Sequence, residues 1–423
     1  MLNRQIAPDF KQVSTINFIQ PQQKQLDNGV PVYVVYSGEQ DLVRIEFIFN
    51  NVNWNSKNPL QAIAVNALIN NGTTTLTAKQ IAEQIDFYGA FFQTEYVQDQ
   101  STVTLYTLNK HLASVLPLVK NVLSDSQFPQ QEIDIYIQNQ KQKLQVNLQK
   151  NDVLSRKEFA HALFGDTAYG VDIQAKHYDE IKREDLLAYF KAAYAPNNCN
   201  IVVSGKFEQN SFDLLNAAFG SDWEKSDARP NHFIFDKAGK KALYKEKPEA
   251  IQSAIRIGKI AVNRKHEDFP GLQILNTVLG GYFGSRLMNN IREDKGYTYG
   301  IGSGISSLKD AGYFFIATEV GAEVCNDALK EIYKEIEILK TELVEEDELN
   351  LVKNYMLGSM LGSLENVFSH ADKFKNIHFF GLGYDYYERY IARVKSISSQ
   401  EIQDLAIKYL AADDFVEVVI GKK

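Results

Sequence analysis

Two like α+β domains, each an antiparallel-rich sheet with helices packed on one face, are the fold this chain predicts, and three observations carry that reading. Its 423 residues exceed what one hydrophobic core usually organises. An internal repeat runs through it: Ile181-x4-Leu186-x8-Ala195-x6-Val202-Val203-x-Gly205-Lys206 returns, without a gap, as Ile397-x4-Ile402-x8-Ala411-x6-Val418-Val419-x-Gly421-Lys422 at an offset of 216 residues. The same offset pairs Val122-Leu123 with Ile338-Leu339 and Glu132-Ile133 with Glu348-Leu349. Self-similarity at half the chain length marks a duplicated domain, whereas solenoids repeat every 20–50 residues or so. Finally, strand and helix patterns segregate within each half instead of alternating strictly, which is the α+β signature.

The elements follow in order. Leu26-Asp27-Asn28-Gly29-Val30 carries the Asn-Gly hairpin signal, and residues 43–49 alternate as a half-buried strand does. Thr77 with Gln80 forms a capping box ahead of a helix over 78–88, and strands at 90–97 and 102–108 come next. Helices are then predicted over 112–124, 130–149, 154–164 and 184–194, before a closing strand at 200–204. The second half repeats the scheme with helices at 266–279, 285–295, 326–340, 345–361 and 400–410 and a final strand at 415–420. The domains are expected at 1–219 and 251–423, joined by a connection over 220–250 whose lysine-rich part, 237–247, reads as a solvated hinge.

Composition narrows the function. With 44% apolar and 23% charged residues the chain is an ordinary globular one, and its net charge of -8, from 45 basic and 53 acidic side chains without a basic stripe, argues against nucleic acid as a partner. No stretch approaches the roughly 20 apolar residues that cross a bilayer, and residues 1–10 lack the apolar core of a signal peptide, so the cytoplasm and no membrane are expected. Cys199 and Cys325, each in an apolar context, suit buried reduced thiols better than a disulfide framework. Glu342, Glu345, Glu346, Asp347 and Glu348 stand at a helix N-terminus, where carboxylates favour the macrodipole; no further role is needed for them.

Chemistry concentrates in one segment, Gly280-Gly281-Tyr282-Phe283-Gly284-Ser285-Arg286-Leu287 running on to Arg292-Glu293-Asp294-Lys295-Gly296-Tyr297-Thr298-Tyr299-Gly300. Its glycines fit neither a P-loop nor a dinucleotide fingerprint and instead let backbone approach backbone, or let an extended peptide pass close by. Core packing and a peptide-facing wall are equally open to Tyr297. The segment resembles the arginine–tyrosine stretch of the pitrilysin/insulinase-like metallopeptidases, the inverzincins, which include mitochondrial processing peptidase. The turn at Leu26-Asp27-Asn28-Gly29, Gly72-Thr73 after the first long helix, and the duplicated halves lie in the family's order, so the resemblance covers nearly the whole chain.

The resemblance implies two α/β-roll domains facing one another, and a zinc helix with H-x-x-E-H in the first half. Counting back from Gly72-Thr73, the three motif positions are Ile63, Asn66 and Ala67, none of which supplies an imidazole, a thiolate or a carboxylate base. The helix on which the family carries its third ligand, a glutamate, has no acid between 135 and 151. The seven histidines show neither H-x-x-E-H nor H-E-x-x-H; Glu158 and His161 stand at i, i+3 but read as an ordinary pair. By the same resemblance Arg286 and Tyr299 match the residues that hydrogen-bond substrate carbonyls near the scissile bond. A permanently charged guanidinium and a phenol suit that task. The chain is thus expected to hold no catalytic residue and no metal of its own. It is expected to position a peptide or small-protein substrate for a zinc-bearing homologous subunit, or to form a homodimer when isolated. A catalytically dead scaffold or peptide-binding protein is the alternative.

Overall fold

The computed structural model describes residues 13, 15–38, 40–236 and 239–423; residues 1–10, read for a leader, and Lys237, at the head of the lysine-rich stretch, lie outside the described residues. The first half runs β1 (Gln22–Gln25), β2 (Pro31–Tyr36), β3 (Leu42–Asn50), α1 (Gln61–Leu68), α2 (Ala78–Phe87), β4 (Phe91–Tyr96), β5 (Gln100–Leu108), α3 (Leu112–Asp125), α4 (Gln130–Asn147), α5 (Asn151–Phe164), α6 (Ala175–Asp179), α7 (Arg183–Ala193), β6 (Cys199–Gly205) and α8 (Gln209–Phe219). Its six strands make one sheet in the order β1-β2-β6-β3-β5-β4, with only β2 and β6 parallel. The Asn-Gly turn joins β1 to β2, and the Thr77/Gln80 capping box opens α2, both as the sequence predicts.

The second half contains β7 (Lys241–Glu246), β8 (Gln252–Ala261), α9 (Phe269–Asn276), β9 (Ile301–Ser307), β10 (Gly312–Gly321), α10 (Cys325–Thr341), α11 (Glu346–Gly362), α12 (Val367–His378), α13 (Asp385–Ser396), α14 (Ser399–Tyr409) and β11 (Val416–Gly421), its sheet ordered β7-β11-β8-β10-β9. Three differences from the sequence reading have physical causes. The stretch read as a hinge contains β7, which pairs in parallel with β11; its six residues are exposed on both faces, so no alternation of polar and apolar residues announces it. The helix expected at 266–279 begins only at Phe269, next to Pro270, and passes into wider π-type turns over Thr277–Gly281. The helix expected at 285–295 is likewise a π-type segment over Met288–Asp294.

Each sheet buries one face under helices of its own half, which explains why β5 alternates buried and half-buried side chains. Both faces of β3 are nevertheless buried. The reason is an exchange: α12 of the second half lies on the outer face of the first sheet, where Ala371 and Phe374 pack on Val35, Ile48 and Val202, while α5 of the first half lies on the second sheet, where Leu154, Phe159 and Leu163 pack on Val416, Val418 and Ile420. Asn151 and Val367, the first residues of α5 and α12, stand 216 residues apart, the offset of the repeat itself. Under α12 sits a charge cluster. Arg44 and Glu46 on β3 form an ion pair at 3.1 Å, Arg44 reaches Asp372 at 2.9 Å and Lys375 reaches Glu46 at 2.5 Å.

Helix α12 also holds the chain that leads into β1. The Ile19 amide donates to Nδ1 of His370 at 3.2 Å, which requires that nitrogen to be unprotonated, and burial holds the imidazole pKa below its ordinary value. A folded pKa below the unfolded value of about 6.5 means that this contribution is complete above that value and is lost as pH falls through the lower folded one. Exchange protection of the Ile19 amide, corrected for intrinsic rate, is therefore expected to fall as the solution is taken from pH 7.5 down through the lowered imidazole pKa. Protection that does not change over that range would show that the bond is not held by neutral His370.

Candidate functional site

Helix α1 turns Ala64, Val65 and Leu68 into the first core and leaves Ile63 half-buried and Ala67 exposed, the i, i+4 spacing that puts two side chains on one face. Asn66 is 2% exposed, and its Nδ2 donates to the Tyr194 hydroxyl at 3.2 Å. The position that would carry the water-activating carboxylate thus holds an amide bound into the core, against a phenol whose pKa burial pushes up to about 12. Three residues beyond α1, Asn71 donates to Glu132 of α4 at 2.9 Å; Gly72 then adopts φ +136, where a Cβ would stand 3.0 Å from Pro129 Cγ. Ile63 and Ala67 offer no donor to a metal, so these residues do not fit zinc. Among the described residues no group of three His, Cys, Asp or Glu side chains is placed to hold a metal ion.

The second-half segment is built differently. Gly280 lies against β9 so closely that a Cβ would sit 2.5 Å from Ser303 Oγ and 2.7 Å from its backbone nitrogen, so this glycine serves backbone approach. Beyond it Arg286 is clamped. Its Nε and one Nη donate to the two carboxylate oxygens of Glu348 on α11 at 2.9 and 2.8 Å, a fork that leaves the other Nη without a hydrogen bond among the described residues. Burial opposes the guanidinium's charge, yet the bond to Glu348 and the nearness of Glu335 and Glu342 hold its pKa above the ordinary value. Tyr297 packs on the second core, while Tyr299 is 92% exposed. No hydrogen bond or ring contact joins Arg286 to Tyr299.

Residues 180–356 match the family model described as the Peptidase M16 inactive domain. The second half of the chain is thus similar to the inactive domain of the M16 peptidases. The whole chain is 27% identical over 354 residues to a Rickettsia felis protein named an uncharacterized zinc protease, covering 82% of this chain and 80% of that one. It is 25% identical over 368 residues to the Helicobacter pylori protein named non-peptidase homolog YmxG, covering 84% and 83%. The crystal structure of a peptidase M16 inactive domain from Pseudomonas fluorescens superimposes with a TM-score of 0.86 at 22% identity, over 95% of this chain and 98% of that one, and so shares the two-sheet fold.

The matched M16 span takes in the Gly280-to-Gly300 segment and most of α11 but stops short of α1. Glu348 is the residue that the sequence reading passed over, since a helix N-terminus alone accounted for it. One signal was present in the repeat. Glu132 of α4 and Glu348 of α11 are related by the 216-residue offset, and each reaches back to the chain that follows the first long helix of its half. The other titratable candidates stay outside the site: His161 Nδ1 lies 3.1 Å from the Gly170 carbonyl oxygen, and the His378 ring sits between Tyr33 and Phe374. Cys199 and Cys325 are buried free thiols, as expected. No helix among the described residues is long and apolar enough to cross a membrane.

Proposed function

We propose that this chain is the non-catalytic, substrate-holding subunit of a heteromeric zinc peptidase, in which a homologous partner carries H-x-x-E-H and Arg286 and Tyr299 of this chain hold the peptide. The observation that carries the reading is the contrast between the two halves. The positions that bind and use zinc hold Ile63, Asn66 and Ala67, whereas the arginine and the tyrosine are both retained, the tyrosine with its ring in solvent. The match to an inactive-domain model covers the half that carries the arginine and the tyrosine.

The Arg286–Glu348 fork favours a second reading. Two of the three guanidinium nitrogens are already engaged, as a purely structural ion pair would have them, which suits a peptidase-like scaffold that has left proteolysis. The two readings separate on mixing. The isolated chain with zinc is expected to cleave no peptide, and Ile63→His is expected to change nothing, because Asn66, Ala67 and the glutamines of α4 still leave a metal short of ligands and the water without a base. A same-length homologue with H-x-x-E-H, encoded beside it, is expected to form a complex with it and to gain chelator-sensitive hydrolysis. Hydrolysis by the isolated chain, or a homologue equally active without it, would overturn the proposal.

A further inference from the structure

Between the end of β8 and helices α9, α11, α12 and α13 lies a cavity of about 340 Å³, within the size range of small-ligand sites. Two cations line it, and neither has a carboxylate partner among the described residues. Arg264 donates through one Nη to the Asn376 carbonyl and lies over the Phe380 ring at 4.8 Å, but its Nε is buried with no hydrogen-bond acceptor. Lys373 is the second, and it makes no ion pair. Its neighbour Asp372 attracts it through space but makes its ion pairs with Arg44 and Lys375. Burial, and after it the nearby Arg264, hold the Lys373 pKa below the ordinary lysine value. The same walls present the hydroxyls of Ser359 and Tyr386 and the apolar side chains of Met356 and Met360.

A buried donor without an acceptor, beside a second unpaired cation, is an arrangement that folding alone does not favour: each group loses hydration, and the two repel. A bound anion reverses both effects. We propose that the cavity is a binding site for the oxyanion group of a small molecule, a phosphate ester or a carboxylate, with the Arg264 guanidinium and the Lys373 ammonium as charged groups, hydroxyls as neutral donors, and the methionine side receiving an apolar body. Helix α12 would then respond to a ligand on one face while its other face covers the first sheet.

The test uses the full chain in chloride buffer, with sodium phosphate and sodium succinate added in separate arms at matched ionic strength. Saturable one-to-one heat in calorimetry, with a rise in melting temperature, is expected in at least one arm. A response to phosphate alone assigns a phosphate group, to succinate alone a carboxylate, and to both an unselective oxyanion site. Lys373→Met and Arg264→Met are each expected to weaken binding about 10-fold or more, the loss of one charge-assisted bond. Lys373→Met removes the like-charge repulsion and should melt no lower than the parent without anion, which keeps the test valid if Arg264→Met folds poorly. Lys79→Met, at an exposed lysine of α2, should leave the anion response unchanged. No response in either arm, or an undiminished one in Lys373→Met, overturns the proposal.

Discussion

Glu46→Leu is expected to destabilise the protein by about 3–5 kcal/mol in denaturant unfolding, the cost of breaking a buried ion pair from one side. Glu46 is 4% exposed and holds both Arg44 and Lys375; without it Arg44, itself 5% exposed, keeps Asp372, the Phe368 carbonyl and ring, the Ser204 hydroxyl and the Tyr106 side chain, a single carboxylate among them. The pair with its environment is more informative than the single change. Arg44→Met combined with Glu46→Leu removes both buried charges and leaves the Asp372–Lys375 contact on α12, so the double variant should recover a substantial part of the loss. If both single variants unfold within about 1 kcal/mol of the parent and the double variant is their sum, the cluster is not what fixes α12 on the first sheet.

Arg286→Ala should carry the largest kinetic effect. In a complex with a zinc-bearing partner it is expected to lower kcat by about 10²–10³, because a charge-assisted donor aimed at a developing oxyanion acts on the transition state. Tyr299→Phe removes one hydroxyl and should cost less. The fork to Glu348 adds a control. Glu348→Gln keeps the shape of α11 but loses the charge that orients the guanidinium, so turnover should fall by less than in Arg286→Ala, with complex assembly and partner zinc content unchanged in both. A complex of Arg286→Ala that melts lower but turns over normally would make the arginine structural.

The repeat made much of this legible. It placed α7 and β6 opposite α14 and β11, and the Thr77/Gln80 box, the Asn-Gly turn and the alternation of β5 located their elements closely. Helices α6, α8, α12 and α13 escaped, although Asn366 caps α12 and its buried residues His370, Ala371, Phe374 and Ile377 have helical spacing. Periodicity tells that a helix face is buried and says nothing of which sheet receives it, so the exchange of α5 and α12 was not readable. Within the site, Ile63, Asn66 and Ala67 are located by counting back from Gly72-Thr73 along the family resemblance, and zinc chemistry adds that none of the three is a ligand. Glu348 was not located, because a carboxylate 62 residues from Arg286 carries no local mark of the side chain it will meet.

The crossing of α5 and α12 also bears on how the chain acquires its structure. Strands β2, β3 and β6 are complete by residue 205, but the helix that covers Val35, Ile48 and Val202 begins at Val367. During synthesis at about 5–20 residues per second, the outer face of the first sheet must wait roughly ten to thirty seconds for its cover. Contacts this distant in sequence form late, and an apolar strip left open meanwhile is a place where a nascent chain associates wrongly. Arg44 and Glu46 lie on β3 beside Ile48 of that strip, and two charges there are expected to keep it partly wetted until α12 arrives.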